Sequence, residues 1–279
     1  MLKKVYIEIT NQCNLNCAFC PGTERKARSM TPEEFAHILV ALEGKTEYIY
    51  LHVMGEPLLH PQLAELLRLA GERRMKVCIT TNGTMLPERK ETLLAARTLH
   101  KVSVSLHSYE GNALALEQQR TYLENVWDFS ACAATSGIII ALRLWNEDGL
   151  EKQNALIFDF LRKKVPKDWP ELRSGSFRLG DNLYLERAKQ FDWPALTACA
   201  VQTQFCYGLR DQIGVLADGT VVPCCLDHEG DIPLGNLFKQ SFEEIWQSAR
   251  AAALREGFSR REPVEELCRR CGYALRFNK

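Results

Sequence analysis

The stretch Ile9-Thr10-Asn11-Gln12-Cys13-Asn14-Leu15-Asn16-Cys17-Ala18-Phe19-Cys20 sets three thiols on one short segment. Just before and into it, Val5-Tyr6-Ile7-Glu8-Ile9-Thr10 is rich in β-branched and aromatic residues, which predicts a strand. The thiols therefore belong to a loop at the end of a first strand. Thiolates at spacings of four and three can hold three corners of a cubane iron–sulfur cluster and leave the fourth iron without a protein ligand. The plain alternative is a zinc site or a set of free thiols. Structural zinc takes four closed ligands, and no fourth Cys or His follows nearby.

Outward from this loop, helix and strand signals alternate. Thr31-Pro32-Glu33-Glu34 is a capping box with proline at the first helical position, so a helix should run from there to about Glu43, stopped by Gly44. Further strands are expected at Glu47–Met54, Lys76–Thr81, Lys101–His107, Ile138–Trp145 and Ser176–Leu185. Helices near 62–73, 87–98, 115–136 and 150–164 separate them. This alternation predicts βαβ units and a parallel sheet. The expected fold class is α/β, an incomplete (β/α)6 TIM-like barrel, with a doubly wound open sheet as the alternative. Either fold binds ligands at the C-terminal ends of its strands. The Cys13–Cys20 loop, Gly55-Glu56-Pro57, Asn82-Gly83 and Ser105–Ser108 all fall there.

From about residue 195 the pattern changes. Asp218-Gly219 between the runs Gln212–Ala217 and Thr220–Cys224 predicts a hairpin with a type I′ turn. Ser241-Phe242-Glu243-Glu244 caps a helix, and Cys268-Arg269-Arg270-Cys271 follows. The chain divides on this basis into a core over 1–190 and a small α+β extension over 191–279.

Composition narrows the function classes. Lys+Arg and Asp+Glu both number 35, so no overall basicity calls for a nucleic-acid partner. No apolar run approaches the ~20 residues of a membrane span, and the N-terminus lacks a secretory apolar region, so the expected location is cytoplasmic. Eleven cysteines in such a chain point to metal or redox chemistry more than to disulfides.

The string Cys13-x-x-x-Cys17-x-Phe19-Cys20 after a first strand resembles the cluster motif of the radical S-adenosylmethionine superfamily. The resemblance implies a 4Fe-4S cluster on Cys13, Cys17 and Cys20. It also implies S-adenosylmethionine chelated to the open iron and cleaved to a 5′-deoxyadenosyl radical, with a flavodoxin- or ferredoxin-type electron donor. Met54-Gly55-Glu56-Pro57 resembles the family's Gly-Gly-Glu turn, with Met54 in place of the first glycine. Gly55 is expected to let the backbone approach the ligand, and Glu56 to accept a hydrogen bond from its ammonium. Thr80-Thr81-Asn82-Gly83 matches the ribose and carboxylate site through Asn82, and Ser105 and Arg143 stand where the family supplies polar contacts. Arg143 lies in the apolar run Ile138–Leu144, where a charge needs a partner. That partner is either the cofactor's carboxylate or an internal salt bridge. Phe19 is expected to pack over the cluster or the adenine.

Cys206-x12-Gly219-x4-Cys224 with the later Cys268-x-x-Cys271 resembles the SPASM/twitch extension of these enzymes. This implies a second 4Fe-4S cluster on Cys206, Cys224, Cys268 and Cys271, with a four-cysteine zinc site as the alternative. Strand alternation lets only one of Cys224 and Cys225 face that cluster, and the spacing favours Cys224. The resemblance implies a radical enzyme that oxidises or crosslinks its substrate by hydrogen abstraction, acting on a ribosomally made peptide. The alternatives are a dehydrogenase or epimerase of a small molecule (sugar or amino acid), and a non-catalytic metal-binding or redox-sensing protein. No catalytic side chain is assigned beyond the cluster and cofactor ligands.

Overall fold

Parallel strands buried on both faces require near-continuous apolar runs, and the chain supplies them at Val5–Ile7, Val77–Ile79 and Ile140–Leu142. The computed structural model describes residues 1–112, 116–201 and 205–277. Its strands are β1 (Lys4–Ile7), β2 (Tyr48–Tyr50), β3 (Lys76–Thr81), β4 (Leu99–Ser105), β5 (Ile139–Glu147), β6 (Glu171–Arg173), β7 (Ser176–Gly180), β8 (Leu183–Lys189), β9 (Gln212–Val215), β10 (Thr220–Val222) and β11 (Gly235–Asn236). They form one 11-stranded sheet in the order β11-β10-β9-β1-β2-β3-β4-β5-β8-β7-β6.

From β1 through β5 to β8 every pairing is parallel and neighbours follow chain order. A doubly wound sheet reverses its order at a switch point. From β1 to β8 there is no such reversal, which agrees with the incomplete barrel; the parallel strand on the other edge of β1 comes from the C-terminal extension. Five helices return the chain between these strands: α1 (Pro32–Ala41), α2 (Leu63–Glu72), α3 (Leu86–Ala95), α4 (Leu116–Thr135) and α5 (Asn154–Lys164). The Thr31 capping box forms, its hydroxyl accepting from Glu34 N at 3.2 Å while Glu34 Oε2 accepts from Thr31 N at 2.9 Å. Phe35, Ile38 and Leu39 bury one face of α1 in the core.

Three expectations change. Ser176–Leu185 is not one strand but the antiparallel pair β7–β8, folded at Asn182 with φ of 56°. The sixth parallel strand is therefore β8, which begins seven residues later than expected. Second, β2 is confined to Tyr48–Tyr50, because the chain beyond it leaves the ladder and Met54 N donates to Glu8 instead. Third, the Asp218-Gly219 hairpin closes through the four residues Leu216–Gly219 rather than a two-residue turn. Gly219 N donates to Leu216 O and Leu216 N to Thr220 O, both at 2.8 Å. Gly219 takes a positive φ of 84° and Asp218 does not, which fits a longer loop better than type I′.

The C-terminal segment joins the same sheet. Strand β9 pairs parallel to β1 in register Lys4↔Gln212 to Ile7↔Val215. Beyond β11 come α6 (Phe242–Gln247), with the expected Ser241 capping box, α7 (Ala249–Ser259) and α8 (Glu266–Arg269).

Candidate active site

The loop after β1 is anchored by a residue that the sequence left unmarked. Glu8 is fully buried, and a buried carboxylate must be paired and hydrogen-bonded to be tolerated. Arg25 meets it with two bonds of 2.7 Å, and Glu8 also accepts from Met54 N and Ala217 N at 3.1 Å each. One carboxylate thus ties the returning arm of the cysteine loop to the turn after β2 and to the β9–β10 hairpin. Asn11 adds a second clasp, donating to Lys26 O and accepting from Arg28 N.

Held this way, Cys13, Cys17 and Cys20 line a single cavity of about 470 Å³. Phe19, Gly55, Glu56, Asn82, Ser105 and Arg143 line it too. Burial pushes all three thiols above the ordinary cysteine value, while donors aimed at the sulfurs pull the other way. Those donors include Leu15 N at 3.4 Å from Cys13 Sγ and Asn112 Nδ2 at 3.1 Å from Cys17 Sγ. Bound iron overrides the burial effect, since a coordinating thiol is deprotonated outright. Among the described residues no group of three or more His, Cys, Asp or Glu converges on one ion. Thiolates of a cubane sit on different irons, so they stand further apart than ligands sharing a single ion.

The turn after β2 is built against the cysteine loop. Gly55 has φ of 78°, and a Cβ there would lie 2.4 Å from Thr10 O and 2.9 Å from Asn11 Cα. Among the described residues this close approach is to the root of the cysteine loop. Glu56 N continues the contact by donating to Gln12 O at 2.8 Å. The Glu56 carboxylate is buried and accepts from Leu58 N at 3.0 Å, Thr81 Oγ1 at 2.8 Å and Asn82 N at 2.7 Å. Burial raises its pKa to about 7 in spite of these three bonds. Asn82 Nδ2 in turn donates to Asn14 Oδ1 at 3.0 Å and reaches Cys13 Sγ at 3.9 Å. The ends of β1, β2 and β3 therefore form one hydrogen-bonded rim.

Arg143 makes the internal salt bridge. Its Nε donates to Glu186 on β8 at 3.1 Å, and its guanidinium lies 4.5 Å from the centre of the Trp145 ring. Phe19 packs on His107 at 4.9 Å between ring centres. His107 is nearly sealed, and desolvation lowers its pKa to about 4, so it is neutral at ordinary pH. Trp145 and Trp193 also face the cavity, whereas Asp181 lies on the exposed β7–β8 turn beside Arg178.

A second cavity brings together Cys206, Cys224, Cys268 and Cys271. Their sequence separation reaches 65 residues: Cys224 comes from the segment after β10, Cys268 from α8, and Cys271 from just beyond that helix. Cys225 turns the other way and lines the larger cavity. Cys78, on β3, packs in the core.

Residues 7–142 match the model of the radical SAM superfamily, and residues 206–272 match that of the SPASM iron–sulfur cluster-binding domain. The chain belongs to the radical SAM superfamily. Its cofactors as such are a 4Fe-4S cluster, S-adenosylmethionine and an auxiliary 4Fe-4S cluster, and the two cysteine sets supply donors that fit them. A probable GTP 3′,8-cyclase of Methanocella arvoryzae is 31% identical over 174 residues, covering 58% of this chain and 54% of that protein. An AdoMet-dependent heme synthase of Methanosarcina barkeri is 35% identical over 103 residues, covering 36% and 29%. This radical SAM chain thus spans about half the length, or less, of these curated relatives. Among solved structures, BtrN in complex with AdoMet and 2-DOIA superposes with a TM-score of 0.63 at 19% identity, covering 97% of this chain and 93% of that one. That likeness establishes the fold, core and extension together. No helix among the described residues is long and apolar enough to cross a membrane.

Proposed function

We propose that this radical SAM enzyme abstracts a hydrogen atom from a small polar substrate held in the cavity of about 470 Å³. The observation that carries this reading is that one cavity is lined both by Cys13, Cys17 and Cys20 and by Tyr6, Lys4, Lys101 and Glu186. Its volume lies in the range of pockets for small ligands, and the first cluster and the cofactor would share it, which favours a compact substrate group beside them. Mixed charge in the lining favours a polar molecule over an apolar one.

In this reading Cys13, Cys17 and Cys20 hold the first cluster and leave one iron open. When bound there, S-adenosylmethionine supplies a 5′-deoxyadenosyl radical after one-electron reduction. Gly55, Glu56, Asn82 and Ser105 position the cofactor, and Phe19 shields it from water. Cys206, Cys224, Cys268 and Cys271 close the second cluster on all corners, which suits an electron relay rather than a substrate site. A flavodoxin or ferredoxin serves as electron donor. The functional division falls between 1–190 and 191–279, within the stretch from β8 to β9, whose described residues form neither strand nor helix.

The test is anaerobic reconstitution, reduction with dithionite and assay for 5′-deoxyadenosine, with Cys17→Ala as control. The reading expects the nucleoside from wild type alone. Full iron loading without it would leave a metal-binding or redox-sensing protein.

A further inference from the structure

Cys224 and Cys225 are consecutive, yet each faces a different cavity. Cys225 packs against Tyr6, Val53, Leu216 and Val222, and its sulfur is hydrogen-bonded to the Tyr6 hydroxyl. Beside it lies His52, which also lines the cavity and packs edge-on to Tyr6 at 5.3 Å. The His52 Nδ1 is sealed from solvent and has no hydrogen-bond partner among the described residues. An enclosed imidazole nitrogen without a partner is costly, and here that cost is carried by a residue of the cavity wall. So the thiol, the phenol and the imidazole define a substrate-facing wall, one peptide unit from a ligand of the second cluster.

We propose that Cys225 donates a hydrogen atom to the carbon radical formed in this cavity. This rests on the hydrogen-abstraction function proposed above and adds the fate of the radical. The Cys225 S–H bond breaks homolytically, a substrate C–H bond forms, and a thiyl radical remains on Cys225. One electron and one proton return the thiyl to the thiol. The electron comes from the same one-electron iron–sulfur or flavin donor that feeds the enzyme, and the neighbouring Cys224 gives it a short route. The product keeps the oxidation level of the substrate, so the reaction is an inversion or rearrangement at carbon rather than a dehydrogenation. Each turnover consumes one S-adenosylmethionine and two electrons.

The test uses the holoenzyme with both clusters, exchanged into deuterium oxide and given S-adenosylmethionine and dithionite without substrate. The 5′-deoxyadenosyl radical itself then serves as the probe for the exchanged thiol. Wild type is expected to form monodeuterated 5′-deoxyadenosine, and Cys225→Ser to lose the label per molecule of nucleoside formed while keeping its full iron content. A nitrone spin trap present during turnover is expected to leave its adduct on the peptide carrying Cys225. Unlabelled nucleoside from wild type, equal labelling in Cys225→Ser, or loss of iron in that variant would each overturn the assignment. Absence of any 5′-deoxyadenosine from wild type would instead remove the hydrogen-abstraction reading on which it stands.

Discussion

Arg25 donates two hydrogen bonds of 2.7 Å to the two oxygens of Glu8, and the carboxylate they meet is fully buried. The pair closes the cysteine loop on itself, while the remaining acceptor capacity of Glu8 takes Met54 N and Ala217 N. Three segments that carry different parts of the site are thereby held by one charge.

Removing one partner of such a pair leaves a buried charge without compensation, at a cost of about 3–5 kcal/mol. Arg25→Ala is therefore expected to lower the urea midpoint and to lose iron from the first site in preference to the second. Iron content and denaturant unfolding check this. An Arg25→Ala protein with full iron and wild-type stability would contradict it.

The split of the cysteine doublet makes a sharp contrast between neighbours. Cys224→Ser is expected to fall from about eight iron atoms per chain to about four, the content of a single cubane, and Cys225→Ser to keep both clusters. Iron and sulfide analysis reads both. Equal losses in the two variants would mean that the doublet does not divide between the cavities as the structure has it.

Gly55→Ala introduces a methyl group 2.4 Å from Thr10 O at a residue with φ of 78°. Backbone of this kind costs a non-glycine residue on the order of 1–3 kcal/mol before any clash is relieved. The cysteine loop and the turn must move apart, so S-adenosylmethionine affinity is expected to fall at least about tenfold, equal to about 1.4 kcal/mol. Calorimetric titration of the variant measures it, and wild-type affinity would be the adverse result.

Glu56 provides a pH dependence. Its folded pKa of about 7 lies above the ordinary value of 4.5 because burial disfavours the carboxylate. The folded state therefore binds its proton more tightly than the unfolded chain. The associated stabilisation is full below pH 4.5 and is lost as pH rises through about 7. Unfolding of the iron-free protein followed between those limits should show stability declining with pH, and Glu56→Gln should flatten the decline. An unchanged slope in the variant would assign the effect elsewhere.

The sequence revealed most about features that are local in the chain. Cys13, Cys17 and Cys20 were legible because cluster ligation confines three thiols to one loop, and Thr31 and Ser241 because a capping box is complete within four residues. The preference for Cys224 over Cys225 followed from the spacing after Gly219, and the two thiols do line different cavities, although the doublet lies just beyond β10 rather than on a strand. What escaped depends on distant partners. Glu8 looks like an ordinary strand residue until Arg25, Met54 and Ala217 are brought to it. The pairing of β9 with β1 joins residues about two hundred positions apart, and no periodicity announces it. The turn at Asn182 is signalled by Gly180-Asp181-Asn182 but masked because Phe177, Leu179, Leu183 and Leu185 keep one phase on either side of it. His52 carried no motif, and only its enclosure beside Tyr6 and Tyr50 marks it.

The central claim is that the cluster held by Cys13, Cys17 and Cys20 keeps one iron without a protein ligand and that S-adenosylmethionine fills that position. Electron–nuclear double resonance on a Cys268→Ser/Cys271→Ser variant isolates that cluster, using S-adenosylmethionine labelled with nitrogen-15 at its amino group. Direct coordination predicts a nitrogen hyperfine coupling to the reduced cluster that appears with the cofactor and is absent without it. A fully loaded, reduced cluster with no such coupling in the presence of saturating cofactor would contradict the account.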